Sequence, residues 1–251
     1  MSGRPCWRLR EYDPVMETLP LFPLGTVLMP GAPLPLQIFE PRYVALLTDL
    51  WEGPPESRRF GVIAIRQGFE VGVGAATALH EVGCTAVIDG PVAGMRPPFR
   101  LLARGGRRFR LAELDESGAK PYPQGLVEWL DDDSDPALTA PGGAGSDRGP
   151  GASNAELEPL AQQLRTAHHA YIEALQSPDA ALPDDVPAAD LAYAAVQRSA
   201  LSVKDRQRVL EAMTAADRLS TATGIFRTEV ALLTQVRAIP HRTDPGFFSA
   251  N

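Results

Sequence analysis

The amino-acid sequence predicts an α+β protein in which a β-rich half precedes a helical half. Up to about residue 130, apolar residues form short runs broken by Gly and Pro; from residue 155 they recur about every 3.6 residues. Between the halves, residues 131–154 carry almost no large apolar side chain, so burial cannot offset chain entropy there. We therefore predict a flexible leader over 1–16, a β-rich subdomain over 17–130, a flexible low-complexity linker over 131–154, a helical bundle over 155–238 and a loose tail over 239–251.

The β half opens with a Pro-rich apolar segment, residues 19–43. Its six prolines exclude a helix, because each removes a backbone donor and clashes with the preceding turn. Its apolar content is too high for a solvated linker, so we expect short extended segments that fold back on each other. We predict a strand over Leu34–Ile38 and a helix from Pro41 to about Leu50, with Pro41 in the first turn.

The rest of this half carries strand signals separated by glycines. Gly83 is expected to separate two short strands, and Gly105-Gly106 is typical of a hairpin turn between two longer ones. The predicted strands are, in order, Phe60–Arg66, Ala78–Val82, Thr85–Asp89, Phe99–Ala103, Arg107–Leu114 and Gly125–Leu130.

Helical periodicity and capping signals place four helices in the second half. Ser202 with Asp205, and Thr214 with Asp217, have the spacing of a capping box at a helix start. The predicted helices span residues 154–176, 188–198 and 203–212, and the fourth begins after Thr214.

Charge and composition narrow the class of partner and the compartment. The 251 residues carry a net charge of −7, which disfavours a chain-wide attraction to nucleic acid or to an anionic membrane. The N-terminal residues have no apolar core of signal-peptide length, and no run of about 18 apolar residues occurs. We therefore predict a cytoplasmic protein.

Several sequence blocks, in the same order, resemble the substrate-binding N-terminal domain of Lon protease, which also occurs as free-standing bacterial proteins. The blocks are LPLFPLGTVLMPGAPLPLQIFEPRY at 19–43, FGVIAI at 60–65, LHEVGCTAVI at 79–88, GGRRFRL at 105–111, KDRQRVLEAMTAADRL at 204–219 and FRTEVALL at 226–233. The insert at 131–154 has no obvious counterpart in the family pattern.

The resemblance implies a PUA-like β pseudo-barrel followed by a C-terminal helical bundle. It also implies that the whole domain captures unfolded or exposed polypeptide segments. Proteolysis machinery is a further implied partner class. The ATPase signature G-x-x-x-x-G-K-[ST] is absent, and a Ser–Lys peptidase pair would have to use Lys120 or Lys204, neither of which is placed as a desolvated base. We predict a non-enzymatic binding module that uses no cofactor and no metal.

The candidate peptide-binding residues combine aromatic and arginine side chains, and we place their surface at a concave junction between the two halves. They are Phe39, Arg42, Tyr43, Arg107, Phe109 and Tyr122. The alternative hypothesis is a PUA-like RNA-binding protein that uses Arg108 and Arg110, which share one face of a strand.

Catalytic and metal chemistry is disfavoured by spacing. Adjacent His168 and His169 point about 100° apart on a helix and cannot share one ion without further ligands. Cys84 lies in an apolar strand, the usual place for an inert buried thiol. An undetected hydrolase, the third hypothesis, would require a pocket with a perturbed titratable pair.

Overall fold

The computed structural model describes residues 16–54, 57–68, 76–90, 92–94, 96–115, 117–130, 154–236 and 248–249. It confirms the α+β prediction: within these ranges, seven strands and one α-helix lie before residue 131, and four α-helices and a short strand follow from residue 154. The elements are β1 (Met16–Leu24), β2 (Pro33–Ile38), α1 (Pro41–Glu52), β3 (Arg59–Gly68), β4 (Ala76–Leu79), β5 (Val82–Ile88), β6 (Phe99–Asp115), β7 (Gln124–Trp129), α2 (Asn154–Leu175), α3 (Leu191–Gln197), α4 (Val203–Glu211), α5 (Ala215–Val236) and β8 (Phe248–Ser249).

Five strands pair in a closed ring. β1 pairs parallel with β3, β3 pairs antiparallel with β5, and β5 pairs antiparallel with β6. β6 continues antiparallel to β7, and β7 returns antiparallel to β1. β4 adds to the edge of β3, while β2 and β8 extend the sheet from the first half of β6. A ring of this kind is what a pseudo-barrel requires.

The Pro-rich segment builds β1, β2 and the start of α1, but its strands do not fold back on each other. β1 lies between β3 and β7, and β2 lies between β6 and β8. The expectation of local pairing is wrong, because β1 closes the ring with β3 and β7, whereas β2 pairs outside the ring with β6 and β8, and all of these partners except β3 are far away in the chain.

The expected hairpin at Gly105-Gly106 is wrong as well, since β6 runs unbroken through both glycines. A Cβ on Gly105 would collide with the carbonyl oxygen of Met29, and a Cβ on Gly106 would lie 2.6 Å from Thr85 Oγ1. Gly105 therefore allows close approach of the segment between β1 and β2, and Gly106 allows close approach of β5; neither forms a turn.

Gly83 is likewise inside a strand. β5 extends through it, and β4 pairs with β3 instead of with β5. A Cβ on Gly83 would lie 2.6 Å from the Val62 carbonyl oxygen and would overlap the Phe109 ring, so the position has no room for a side chain. The two predicted strands are present, but the break between them lies at residues 80–81 instead of at Gly83.

The hydrophobic core has two parts. A small cluster joins side chains from four ring strands: Leu19, Leu21, Ile63, Phe109 and Val127. The larger cluster runs without interruption from the sheet into the helices, from the Phe22–Tyr43 ring stack at 4.0 Å to the Tyr171–Phe226 pair at 5.1 Å. The two halves consequently share one core, although their sequences differ in period.

Both predicted capping boxes are present in the helical half. Ser202 Oγ accepts a hydrogen bond from the Asp205 N–H at 3.1 Å, and Thr214 Oγ1 accepts one from the Asp217 N–H at 3.1 Å. They start α4 and α5 at the predicted positions. The second predicted helix is shorter than expected, because α3 begins only at Leu191.

Three sequence predictions fall almost wholly outside the described residues: the leader over 1–16, the linker over 131–154 and the tail over 239–251. The structure describes only Met16 in β1, Asn154 in α2 and the two residues of β8 from these ranges. Within the described part of the chain, no helix is both long and apolar enough to cross a bilayer.

Candidate functional site

Arg108, a candidate RNA-binding residue, is completely buried. Its Nη1 donates to the carbonyl oxygens of Leu210 at 2.6 Å and Ala212 at 2.8 Å, and its Nη2 donates to that of Met213 at 3.4 Å. These carbonyls lie at the C-terminal end of α4, where they lack intrahelical donors and where a positive charge is favourable. Arg108 therefore joins β6 to the helical half and is not available to RNA.

Arg110 lies on the same face of β6, as the strand alternation predicts. Its Nη1 is 3.6 Å from Glu128 Oε2, and its Nη2 is 4.0 Å from Met213 Sδ. Only Arg110 of the two candidate residues reaches solvent, so the predicted two-arginine RNA surface is corrected. The prediction fails because the helical half covers Arg108.

Arg107 and Phe109 occupy the opposite face of β6. The Arg107 guanidinium lies 5.0 Å from the centre of the Trp129 ring, and Phe109 is fully buried in the small cluster that packs against Trp129. The prediction that these two share a face agrees with the structure. Phe109, however, is core and is not accessible to a bound peptide.

Tyr43 and Tyr122 are also buried. Tyr43 stacks on Phe22, and the Tyr122 hydroxyl donates to Asp49 Oδ2 at 2.6 Å, beside Lys120 Nζ at 2.8 Å from the same oxygen. The hydrogen bond from Lys120, with that from Tyr122, holds the pKa of Asp49 below its usual range. Both tyrosines stabilise the α1 side of the sheet and form no open groove.

Phe39 and Arg42 are the candidates nearest the surface at the β2–α1 corner. Phe39 keeps 38% of its area exposed. Arg42 donates to Glu40 Oε2 at 2.9 Å, and its guanidinium lies 4.7 Å from the centre of the Tyr43 ring. The corner thus presents one aromatic side chain to solvent beside an arginine that is positioned by its neighbours.

The junction between the halves is closed where α4 meets the sheet. Gln207 is buried and its Nε2 donates to the Val82 carbonyl oxygen at 2.9 Å and to Glu211 Oε1 at 2.8 Å. With Arg108 alongside, this contact is packed and hydrogen-bonded. The expected concave peptide groove is therefore not present at the contact between α4 and β5.

An exposed apolar surface lies instead on the outward side of β2, β5 and β6. Val87 and Leu102 keep 45% and 40% of their areas exposed. Leu102 is the register partner of Pro35, and Val87 is the partner of Arg104, which places Leu102 diagonally next to Val87 on one side of the sheet. We call this surface the outer face; its residues are Pro33, Pro35, Gln37, Val87, Arg100, Leu102 and Arg104.

Charged groups border the outer face. Arg104 pairs with Asp89, with 3.2 Å between Nη2 and Oδ2, and Arg100 is exposed opposite Gln37. Apolar side chains between arginines form a surface that can bury an extended segment while the charges stay hydrated. Sequence reasoning missed Val87 and Leu102, because alternation alone does not tell which side of a strand is covered by helices.

A family model matches most of the chain. The model of the substrate-binding domain of the ATP-dependent protease La (Lon) matches residues 18–227. The chain belongs to the Lon substrate-binding domain family. The resemblance drawn from the sequence blocks is thereby confirmed.

Two solved Lon N-terminal domains share the fold. The Lon N-terminal domain protein from Xanthomonas campestris is 24% identical with a TM-score of 0.55, and the match covers 83% of this chain and 98% of that one. The N-terminal domain of the Mycobacterium avium complex Lon protease is 15% identical with a TM-score of 0.54, covering 85% and 99%. No curated protein matches the chain.

A buried Ser–His pair in this Lon-family chain resembles part of a hydrolase site but is structural. Ser199 Oγ donates to the Ala195 carbonyl oxygen at 2.7 Å and lies 3.3 Å from His168 Nε2. A hydroxyl that donates to a carbonyl has no proton left to give to the imidazole. Burial, reinforced by the charges of Arg198 and His169, lowers the pKa of His168 to about 4, so the ring is neutral near pH 7.

His168 borders a cleft of about 360 Å³ in the helical half. Arg165 spans this cleft and donates to the carbonyl oxygens of Pro183 at 3.1 Å and Val186 at 3.0 Å. The neighbouring His169 also lines the cleft, and its Nε2 lies 3.3 Å from Glu173 Oε1. Among the described residues, no three His, Cys, Asp or Glu side chains are grouped so as to hold a metal ion.

Proposed function

We propose that this Lon-family chain is a non-enzymatic cytoplasmic module that binds exposed segments of unfolded polypeptides. The observation that carries the proposal is the match of the Lon substrate-binding domain over residues 18–227. The Ser199–His168 pair supports the non-enzymatic part of the proposal, because Ser199 is buried and its hydroxyl already donates to the Ala195 carbonyl oxygen. Proteolysis machinery is the second partner class that we propose, since the family takes its name from a protease.

We place the bound segment on the outer face. Val87 and Leu102 lie close together there and are exposed, whereas most of the notable aromatic residues of the β half are buried. Covering their exposed fractions contributes about 1 kcal/mol each, at about 25 cal/mol per Å² of apolar surface. Contacts of this size suit a binder that must accept many sequences and release them.

The double variant Val87→Thr/Leu102→Gln is expected to bind an unfolded model substrate about 30-fold more weakly, which corresponds to about 2 kcal/mol. Both replacements remove apolar surface at exposed positions, and threonine keeps the strand preference of valine. Fluorescence anisotropy with labelled, reduced and carboxymethylated α-lactalbumin measures the affinity.

The matched control is Leu232→Gln, the same chemical change at a leucine of α5 that is 49% exposed. It should leave the affinity unchanged. Equal loss in the control and the double variant, or no loss in the double variant, would contradict the placement of substrate on the outer face.

A further inference from the structure

The edge of β2 that faces away from β6 can be identified from one hydrogen bond. The Gly105 N–H donates to the Ala32 carbonyl oxygen at 2.8 Å, so the backbone groups of residue 32 point toward β6. Because backbone groups alternate along a strand, those of Leu34, Leu36 and Ile38 also point toward β6. The backbone groups of Pro33, Pro35 and Gln37 consequently point to the opposite edge.

This edge of β2 is mostly blocked by proline. Pro33 and Pro35 have no N–H, so Gln37 supplies the one donor between residues 33 and 37, while the carbonyl oxygens of all three are acceptors. Proline on an edge strand normally prevents pairing with other chains. Here the protection stops at Gln37, which leaves a short stretch able to accept a strand.

The chain's own C-terminal segment occupies that stretch. β8 pairs parallel with β2, with Phe248 as the register partner of Leu36 and Ser249 as that of Gln37. In a parallel ladder a residue bonds to the two neighbours of its partner. The register therefore sets the Phe248 N–H opposite the Pro35 carbonyl and the Phe248 carbonyl opposite the Gln37 N–H.

We propose that the β2 edge at Gln37 is a strand-accepting site for extended polypeptide, and that β8 is its built-in competitor. This inference rests on the proposed function and adds a regulation to it: a substrate segment must displace β8 before it pairs with β2. Backbone pairing tolerates any side chain, which suits unfolded substrates, and the outer face lies on the adjoining surface of the same strand. In the described part of the chain β8 has two residues, and a strand this short can be displaced.

Amide hydrogen exchange of the full chain, followed by NMR, tests the occupancy of the edge without any substrate. The Gln37 amide can be protected only from the β8 side, whereas the amides of Leu36 and Ile38 are held by β6. In the wild type all three should exchange slowly. In Phe248→Pro, the Gln37 amide should exchange at least about 10-fold faster while Leu36 and Ile38 are unchanged. Fast exchange at Gln37 in the wild type, or unchanged exchange in the variant, would overturn the inference.

Affinity for reduced, carboxymethylated α-lactalbumin tests the competition. Phe248→Pro should bind it about 3-fold or more tightly than the wild type, because the competitor is removed. Adding Gln37→Pro should abolish that gain, since the donor of the edge is lost while the β2–β6 ladder is kept. Gln37→Ala retains the N–H and is the matched control. Because the Gln37 side chain belongs to the outer face, the gain is measured against Gln37→Ala alone, and adding Phe248→Pro to that variant should still raise the affinity about 3-fold or more.

The outcomes separate this inference from the proposed function. A wild type that binds the substrate while Phe248→Pro binds it equally well overturns the competition and leaves the proposed function standing. If no variant binds the substrate, the proposed function fails and the competition fails with it. The exchange rate of Gln37 then still decides whether β8 occupies the edge.

Discussion

Replacing Arg108 with methionine is expected to lower the free energy of unfolding by about 3–5 kcal/mol. The guanidinium is fully buried and donates to three carbonyl oxygens at the end of α4 and the segment that follows. Methionine restores much of the volume but none of the donors, so buried acceptors lose their partners and the charge at the helix end is lost. Urea unfolding followed by circular dichroism measures the change.

Arg110→Met is the matched control for this experiment. Arg110 lies two residues along the same face of β6, and its side chain is 41% exposed beside Glu128. Exposed ion pairs contribute about 0–1 kcal/mol, so the control should remain close to wild type. Equal losses of stability in the two variants would contradict the conclusion that the buried hydrogen bonds of Arg108 stabilise the contact between the two halves.

Lowering the pH from 7 to 4 is expected to remove about 3 kcal/mol of stability through His168 alone. Its pKa is about 4 in the folded protein, against about 6.5 in an unfolded chain. Between these values the unfolded chain binds the additional proton, so the contribution is complete above pH 6.5 and declines as the pH falls toward 4. The difference of about 2.5 pKa units corresponds to the stated energy at 1.36 kcal/mol per unit.

Urea unfolding of the wild type and of His168→Gln at pH 7, 6, 5 and 4 isolates this contribution. The variant is less stable at pH 7 but should lose about 3 kcal/mol less than the wild type over the range. His169→Gln, at an exposed histidine next along the helix, should keep most of the wild-type dependence, because burial is the largest cause of the His168 shift and the charge of His169 only adds to it. Parallel pH profiles for the wild type and His168→Gln would contradict the burial-driven shift.

Local signals predicted the local features of this protein well. The two capping boxes, the start of α1 at Pro41 and the change from strand to helix all depend on residues close in sequence. The hairpin predicted at Gly105-Gly106 was wrong. A glycine that is required for close approach to the Met29 carbonyl cannot be distinguished in the sequence from a glycine that is required for a turn.

The site was harder to predict because its geometry depends on distant partners. Arg108 looks like a solvent-exposed arginine until α4, about 100 residues later, is packed over it. Phe109 and Tyr43 are aromatic residues of a kind often found on binding surfaces. The closed ring of strands buries Phe109, and the packing of α1 buries Tyr43. The exposure of Leu102 depends on which face of β6 the rest of the fold leaves uncovered, which the local sequence does not indicate.

Hydrogen exchange of the full chain, with and without saturating reduced, carboxymethylated α-lactalbumin, tests most directly whether substrate binds the outer face. When substrate is bound, slower exchange is expected in peptides covering β2 and residues 99–104 of β6. Slower exchange confined to the helical cleft beside Arg165 and His168, or no change at saturation, would contradict binding at the outer face.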